Sequence, residues 1–214
     1  MTVFQIIALS ATGICIVAML WHFVRMLKLG APNDLSEKSG SIARGVVYAN
    51  TQAMLPNQKE SAYLHLPTYS MGIIFHIGIF AGLLVYILSF FPFFNNWLSE
   101  IHWPGLVLGL CFLISATCGL SLFVKRLIDK NLMSLSNADD FLSNGLTTLF
   151  QYATALSLLF PVNGMLDTLY YIVVALLFLY MPLGKLKHLL YYFAARYHLG
   201  FFYGRRNVWP PTKG

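Results

Sequence analysis

The chain has 214 residues, 57% of them hydrophobic and 10% charged, with a mean hydropathy of +0.66. A soluble domain carries nearer to about 25% charge, so composition excludes one and predicts an all-α integral membrane protein. The formal net charge of +6 sits in the segments between apolar blocks, which points to lipid headgroups and protein partners and to no nucleic acid.

Five spans of roughly 20 residues are expected, in a single domain covering 1–214. The first runs over about 3–27. Its length, its missing basic leader and the basic residues that follow it distinguish it from a cleaved signal peptide. It carries His22, a candidate for lining a quinone pocket or for capping a hydrogen bond. A long segment, about 28–68, follows. Long ordered connections are usually functional, and its tyrosines and hydrophobes argue against disorder.

The second span covers about 69–91 and carries His76 in Gly72-Ile73-Ile74-Phe75-His76-Ile77-Gly78. The third covers about 104–124. The fourth, about 142–162, is the most polar, with Gln151, Thr154 and Ser157. The fifth, about 165–190, runs to Tyr180 and continues past Pro182 as an amphipathic helix, carrying Met181-Pro182-Leu183-Gly184-Lys185-Leu186-Lys187-His188. A tail over about 191–214 ends the chain. Cys15, Cys111 and Cys118 lie in apolar stretches without a CxxC motif and read as packed small hydrophobes.

All 14 Lys and Arg residues fall in the first and third connections and the tail, or at the span ends beside them. The second connection holds only Glu100 and the fourth only Asp167. The positive-inside rule therefore predicts an outside N-terminus and a cytoplasmic C-terminus, as an odd number of spans requires.

The two histidines stand in matching frames. Gly72 and Gly184 each precede a histidine by four residues, one turn away on the same helical face. An imidazole with cleared space beside it suits a flat metal macrocycle, and an ionisable side chain deep in a membrane helix is costly unless functional. The pair suggests bis-histidine ligation of one haem b iron by His76 and His188, with Gly72 and Gly184 as packing surface. Lys185, Lys187 and Arg44 are candidates for propionate contacts. Close helix packing is the alternative role for the glycines, and plain topology for the basic residues.

The strings Phe75-His76-Ile77-Gly78-Ile79 and Pro182-x-x-Lys185-Leu186-x-His188 resemble the b-type cytochrome (gamma) subunit of respiratory nitrate reductase. They also resemble its relatives in heterodisulfide reductases and sulfite-reductase-linked complexes. The resemblance implies five spans in a prokaryotic cytoplasmic membrane, with an iron–sulfur subunit and a catalytic subunit on the cytoplasmic side. It also implies exchange of electrons with quinone by a subunit that is not catalytic alone. The family pattern holds a second haem through two further histidines; here Tyr86 and Tyr170 stand at those positions. One haem is therefore expected, on the cytoplasmic side.

Quinone has two candidate places. One is the re-entry segment with Lys59, Glu60, His65 and Tyr69, joined by His22. The other is an outer cavity near Tyr86 and Tyr170, served by Glu100 and His102. A haem-free structural anchor and, further off, a transport or channel subunit are the alternatives.

Overall fold

The computed structural model describes residues 1–30, 34–161 and 163–211, without the side chains of residues 60, 61, 99 and 102. It is all-helical, with no strand among the described residues. In chain order the helices are α1 (Val3–Lys28), α2 (Ile42–Asn50), α3 (Glu60–Leu64), α4 (Leu66–Leu88) and α5 (Pro92–Glu100). They continue with α6 (His102–Ile128), α7 (Lys130–Ser134), α8 (Ala138–Leu159), α9 (Gly164–Tyr180) and α10 (His188–Arg205). Short 3-10 turns cover Gln52–Met54, Pro56–Gln58 and Lys185–Lys187.

Three helices are long and apolar enough to cross a membrane: α1, α4 and α6 over Trp103–Ile128. A fourth is reached if α9 and the segment Lys185–Arg205 count as one broken span. These make the chain a multi-pass membrane protein. The helix α8 falls outside that set because Asn144, Thr147, Thr148, Gln151 and Thr154 interrupt its apolar run.

Several boundaries differ from the sequence expectation, each for a local reason. The second span starts earlier, at Leu66, and stops at Leu88. Pro92 then opens α5 at a position where its missing N–H costs nothing. The fifth span stops at Tyr180, and α10 is a separate helix, because Pro182 cannot donate to the preceding turn. The segment expected as a long connection contains α2, two 3-10 turns and α3.

Internal packing divides the chain into two compact units. The first holds Met1–Ile16 and Pro67–Lys185. Its centre is α8, packed against α6 and α9. Phe150, Gln151, Ala153, Thr154 and Ala155 are buried there with Val173, Val174 and Leu177 of α9. Glycines let the helices close. A Cβ on Gly119 would strike the ring of Phe75, one on Gly82 the ring of Phe150, and one on Gly109 the side chain of Leu159. The start of α8 is fixed by a capping box, in which Asn137 accepts from the Asp140 N–H and Asp140 accepts from the Asn137 N–H.

The second unit holds Val17–Leu66 and Leu186–Gly214. Here α2 lies on α10 at backbone contact. A Cβ on Gly45 would collide with the main chain of Gly200 and Gly204, and one on Gly200 with that of Gly45 and Val46. Arg196 donates to the Ala49 carbonyl near the end of α2, where an unpaired helix carbonyl attracts a cation. Trp209 packs on Tyr203 and Tyr48, with ring centroids 4.7 and 5.5 Å away. Arg206 grips the Asp34 carboxylate with two nitrogens at 2.8 and 2.9 Å. That guanidinium, with the Ser36 hydroxyl and amide, holds the Asp34 carboxyl well below the usual carboxylate range.

Candidate functional site

His76 is exposed on α4, and its Nδ1 lies 2.7 Å from the Gly72 carbonyl oxygen. A carbonyl only accepts, so Nδ1 is the donor in this contact and Nε2 is the ring nitrogen left outside it. A hydrogen bond of this kind fixes the orientation of an imidazole ring and leaves its other nitrogen facing outward. A Cβ on Gly72 would meet no atom within 4 Å, so the helix surface one turn before His76 is open. Phe75 presents its ring to the imidazole at 5.9 Å and 82°.

The frame around His188 is built differently. His188 opens α10 and is exposed. It belongs to the second unit, whereas His76 belongs to the first. Gly184 is buried, and a Cβ there would meet the Tyr180 ring and the Asp139 carboxylate at 2.5 and 2.6 Å. The space it clears is filled by that hydrogen-bonded pair, in which the Tyr180 hydroxyl donates to Asp139. Gly78 is likewise a packing glycine, facing Ser115 and Gln151.

The basic candidates are dispersed. Lys185 is paired with Asp140 at 2.7 Å, and Arg126 joins the same carboxylate at 3.2 Å. Lys187 is half-buried in the 3-10 turn that leads to α10. Arg44 is exposed in the first turns of α2, where its N–H donates to the Ser41 hydroxyl at 3.4 Å. Of the re-entry segment, Lys59 is half-buried and His65 is exposed at the turn between α3 and α4; both belong to the second unit. Tyr69 is half-buried in α4 and belongs to the first. The side chains of Glu60 and His102 lie outside the described residues, and Glu100 is exposed. His22 is half-buried, with Nδ1 3.4 Å from the Tyr191 hydroxyl.

Tyr86 and Tyr170 are both buried. The Tyr86 hydroxyl lies 2.9 Å from that of Thr12, and its ring packs on Phe90 and Phe178. Tyr170 stacks on Phe150 at 6.4 Å and 22°. Beside Tyr170 and Tyr171 lies a cavity of about 1130 Å³, reached by Gln5, Thr154, Ser157 and Asp167. Ser157 donates to the Asp167 carboxylate at 2.9 Å, and Gln5 donates to the Tyr171 hydroxyl at 3.1 Å.

Two features were not assigned a role from sequence. One is the Asp140 carboxylate, which pairs with Arg126 and Lys185 and was signalled only by the capping-box spacing Asn137 to Asp140. The other is Gln151, which is completely buried and donates to the Phe75 carbonyl at 3.4 Å. No protein-family model, curated protein or solved structure matches this chain.

Proposed function

We propose that this chain is the membrane-anchor cytochrome b subunit of a respiratory oxidoreductase, holding one haem b through His76 and His188. The observation that carries the reading is the placement of His76. An imidazole on an apolar membrane helix, with its proton committed to the Gly72 carbonyl and open space beside that glycine, offers Nε2 as a ligand. The haem would supply one-electron transfer. The chain's own part is to fix the ring orientation of His76 and to present His188 from a second helix. Burial of Tyr86 and Tyr170 among aromatic rings supports one haem rather than two, because protein atoms fill both positions.

On this reading five helices, α1, α4, α6, α8 and α9 with its continuation, cross a prokaryotic cytoplasmic membrane. The N-terminus is outside and the basic segments are in the cytoplasm, against an iron–sulfur subunit and its catalytic partner. The polar residues of α8 fit a span because Ser143, Thr147, Thr148, Gln151 and Thr154 are all buried against protein rather than lipid. Quinone exchange belongs either at the cavity beside Tyr170 or at the segment from Lys59 to Tyr69. Matched quinol kinetics of Tyr170→Phe and His65→Ala separate the two.

The deciding experiment is a pyridine haemochrome assay with a reduced-minus-oxidised spectrum on the purified chain and on His76→Ala and His188→Ala. One haem per chain, lost in both variants, is expected. A colourless wild-type protein would leave the haem-free anchor, a reading favoured by one observation: the space at Gly184 is occupied by Tyr180 and Asp139. Haem retained in either variant would overturn the ligand assignment.

A further inference from the structure

The cavity of about 1130 Å³ lies at one end of the first unit. Its walls are the start of α1, the end of α4, α5, the start of α6, the end of α8 and the start of α9, all within that unit. The volume is at the upper limit of small-molecule sites, with room for a polar head and part of an apolar body. The lining has the same two characters. Val85, Leu98, Leu106, Leu158 and Leu159 supply aliphatic surface, and Phe94, Trp103, Tyr170 and Tyr171 supply rings beside the polar groups.

Asp167 is the one formal charge among the described lining residues. Its Oδ1 accepts from Ser157 at 2.9 Å, and no lysine or arginine among the described residues pairs with it. The start of α9 favours a carboxylate but brings no full positive charge. The lysines and arginines of the first unit are Lys125, Arg126, Lys130 and Lys185. They lie at the far end of α6, in α7 and beyond the far end of α9. The cavity therefore repels an anion and is neutralised by a cation.

An acidic side chain at a helix start is not itself a site. A second, separate feature points to a ligand. Tyr170 lines the same cavity and is 3% exposed, and its hydroxyl has no hydrogen-bond partner in the protein. That hydroxyl stands within electrostatic reach of the Asp167 carboxylate. A buried polar group in this condition costs stability until a ligand or water satisfies it. The side-chain amides nearby already give a proton to the protein: Gln5 to the Tyr171 hydroxyl at 3.1 Å and Asn95 to the Ser89 carbonyl at 2.8 Å. What remains on offer is chiefly acceptor capacity, at the second Asp167 oxygen and the Tyr170 hydroxyl. Oxygen acceptors, aromatic faces and an uncompensated negative charge together suit an ammonium group that carries N–H bonds.

We infer that this cavity binds a primary ammonium head on an apolar body, with the head at Asp167 and the Tyr170 hydroxyl and the body along the leucines of α5, α6 and α8. Such a head belongs either to an ethanolamine lipid of the membrane or to a free alkylamine. The inference goes beyond the haem reading and does not need it. An amphiphile seated here leaves the segment from Lys59 to Tyr69 for quinone.

The test uses the full chain purified in a non-ionic detergent. Bound lipid is counted by native mass spectrometry after equal exposure to phosphatidylethanolamine, phosphatidylcholine and phosphatidylglycerol with the same acyl chains. Retention of phosphatidylethanolamine over the other two is expected and assigns the lipid source. Decylammonium is offered in parallel, with decanol as its neutral match, and read by the thermal midpoint. A rise with decylammonium alone, without selectivity among the lipids, assigns the free amine. In either arm Asp167→Asn keeps an acceptor for Ser157 and should weaken binding about tenfold, the size of one charge-assisted hydrogen bond. Tyr170→Phe keeps the aromatic stack on Phe150 and should weaken it less. Glu100→Gln removes an exposed carboxylate of α5 that does not line the cavity, and should bind as the wild type does. Equal retention of the three lipids with no shift specific to decylammonium overturns the site, as does an Asp167→Asn chain that binds like the wild type. Haem content is read on the same samples, so failure of this site and failure of the haem assignment are separate results.

Discussion

Replacing Gly72 by alanine adds a methyl group where no atom lies within 4 Å. In the haem-free chain the change should raise stability by about 0.5–1 kcal/mol, because alanine loses less backbone freedom in a helix than glycine. If the open surface receives a haem, the same methyl group should lower haem occupancy. The haem-to-protein ratio and the thermal midpoint of one Gly72→Ala preparation read both effects. At Asp34 the expectation concerns pH. Its folded carboxyl is held below the ordinary value by Arg206. The pairing therefore contributes stability at every pH above the unfolded pKa of about 3.9, and that contribution disappears as pH falls through the folded value. Thermal midpoints measured down to about pH 3 should drop more steeply for the wild type than for Asp34→Asn. The motif around His76 was legible in the sequence because a histidine in an apolar run is conspicuous and Gly72 lies one turn away. The contrast with Gly184 was not, because the occupants of its cleared space, Tyr180 and Asp139, come from α9 and the start of α8.

Helix α2 shows how much of an element depends on its partner. Its nine residues are too few to be stable alone in water. They hold because Gly45 brings its backbone onto Gly200 and Gly204 of α10. Gly45→Val should therefore cost about 1–3 kcal/mol, since the obstructing atoms are main chain and cannot rotate aside. A fall in the thermal midpoint with retained helical circular dichroism at low temperature is the expected result. Nothing in the sequence marked α2 as a partner of α10, which lies some 150 residues further along the chain in the residue numbering. Its tyrosine and valines showed only that the segment was not disordered. The long apolar helices α1, α4 and α6 were readable within a few residues because composition alone specifies them. The break at Met181–Gly184 was signalled by Pro182, yet proline does not say whether a helix bends or begins again.

At the scale of the molecule, the first unit places its least apolar long helix at its centre and its most apolar ones around it. Only 17% of the most apolar stretch of α1 is buried, whereas α8 buries Ser143, Thr147, Thr148, Gln151 and Thr154. That arrangement has a consequence for the order in which the chain is made. During synthesis α1, α4 and α6 have enough apolar surface to partition into lipid one by one as they emerge. The helix α8 does not: alone in hydrocarbon it would expose Asn144, Gln151 and several hydroxyls. On the five-span reading it must wait beside the insertion machinery until a neighbour shields that face. Chains ended just after α8 should leave it outside the bilayer, and chains extended through α9 should bring it in, as a glycosylation tag placed before Pro161 would report. The polar residues that α8 buries in the finished protein thus set a pause in its biogenesis, when two helices enter the membrane as a pair.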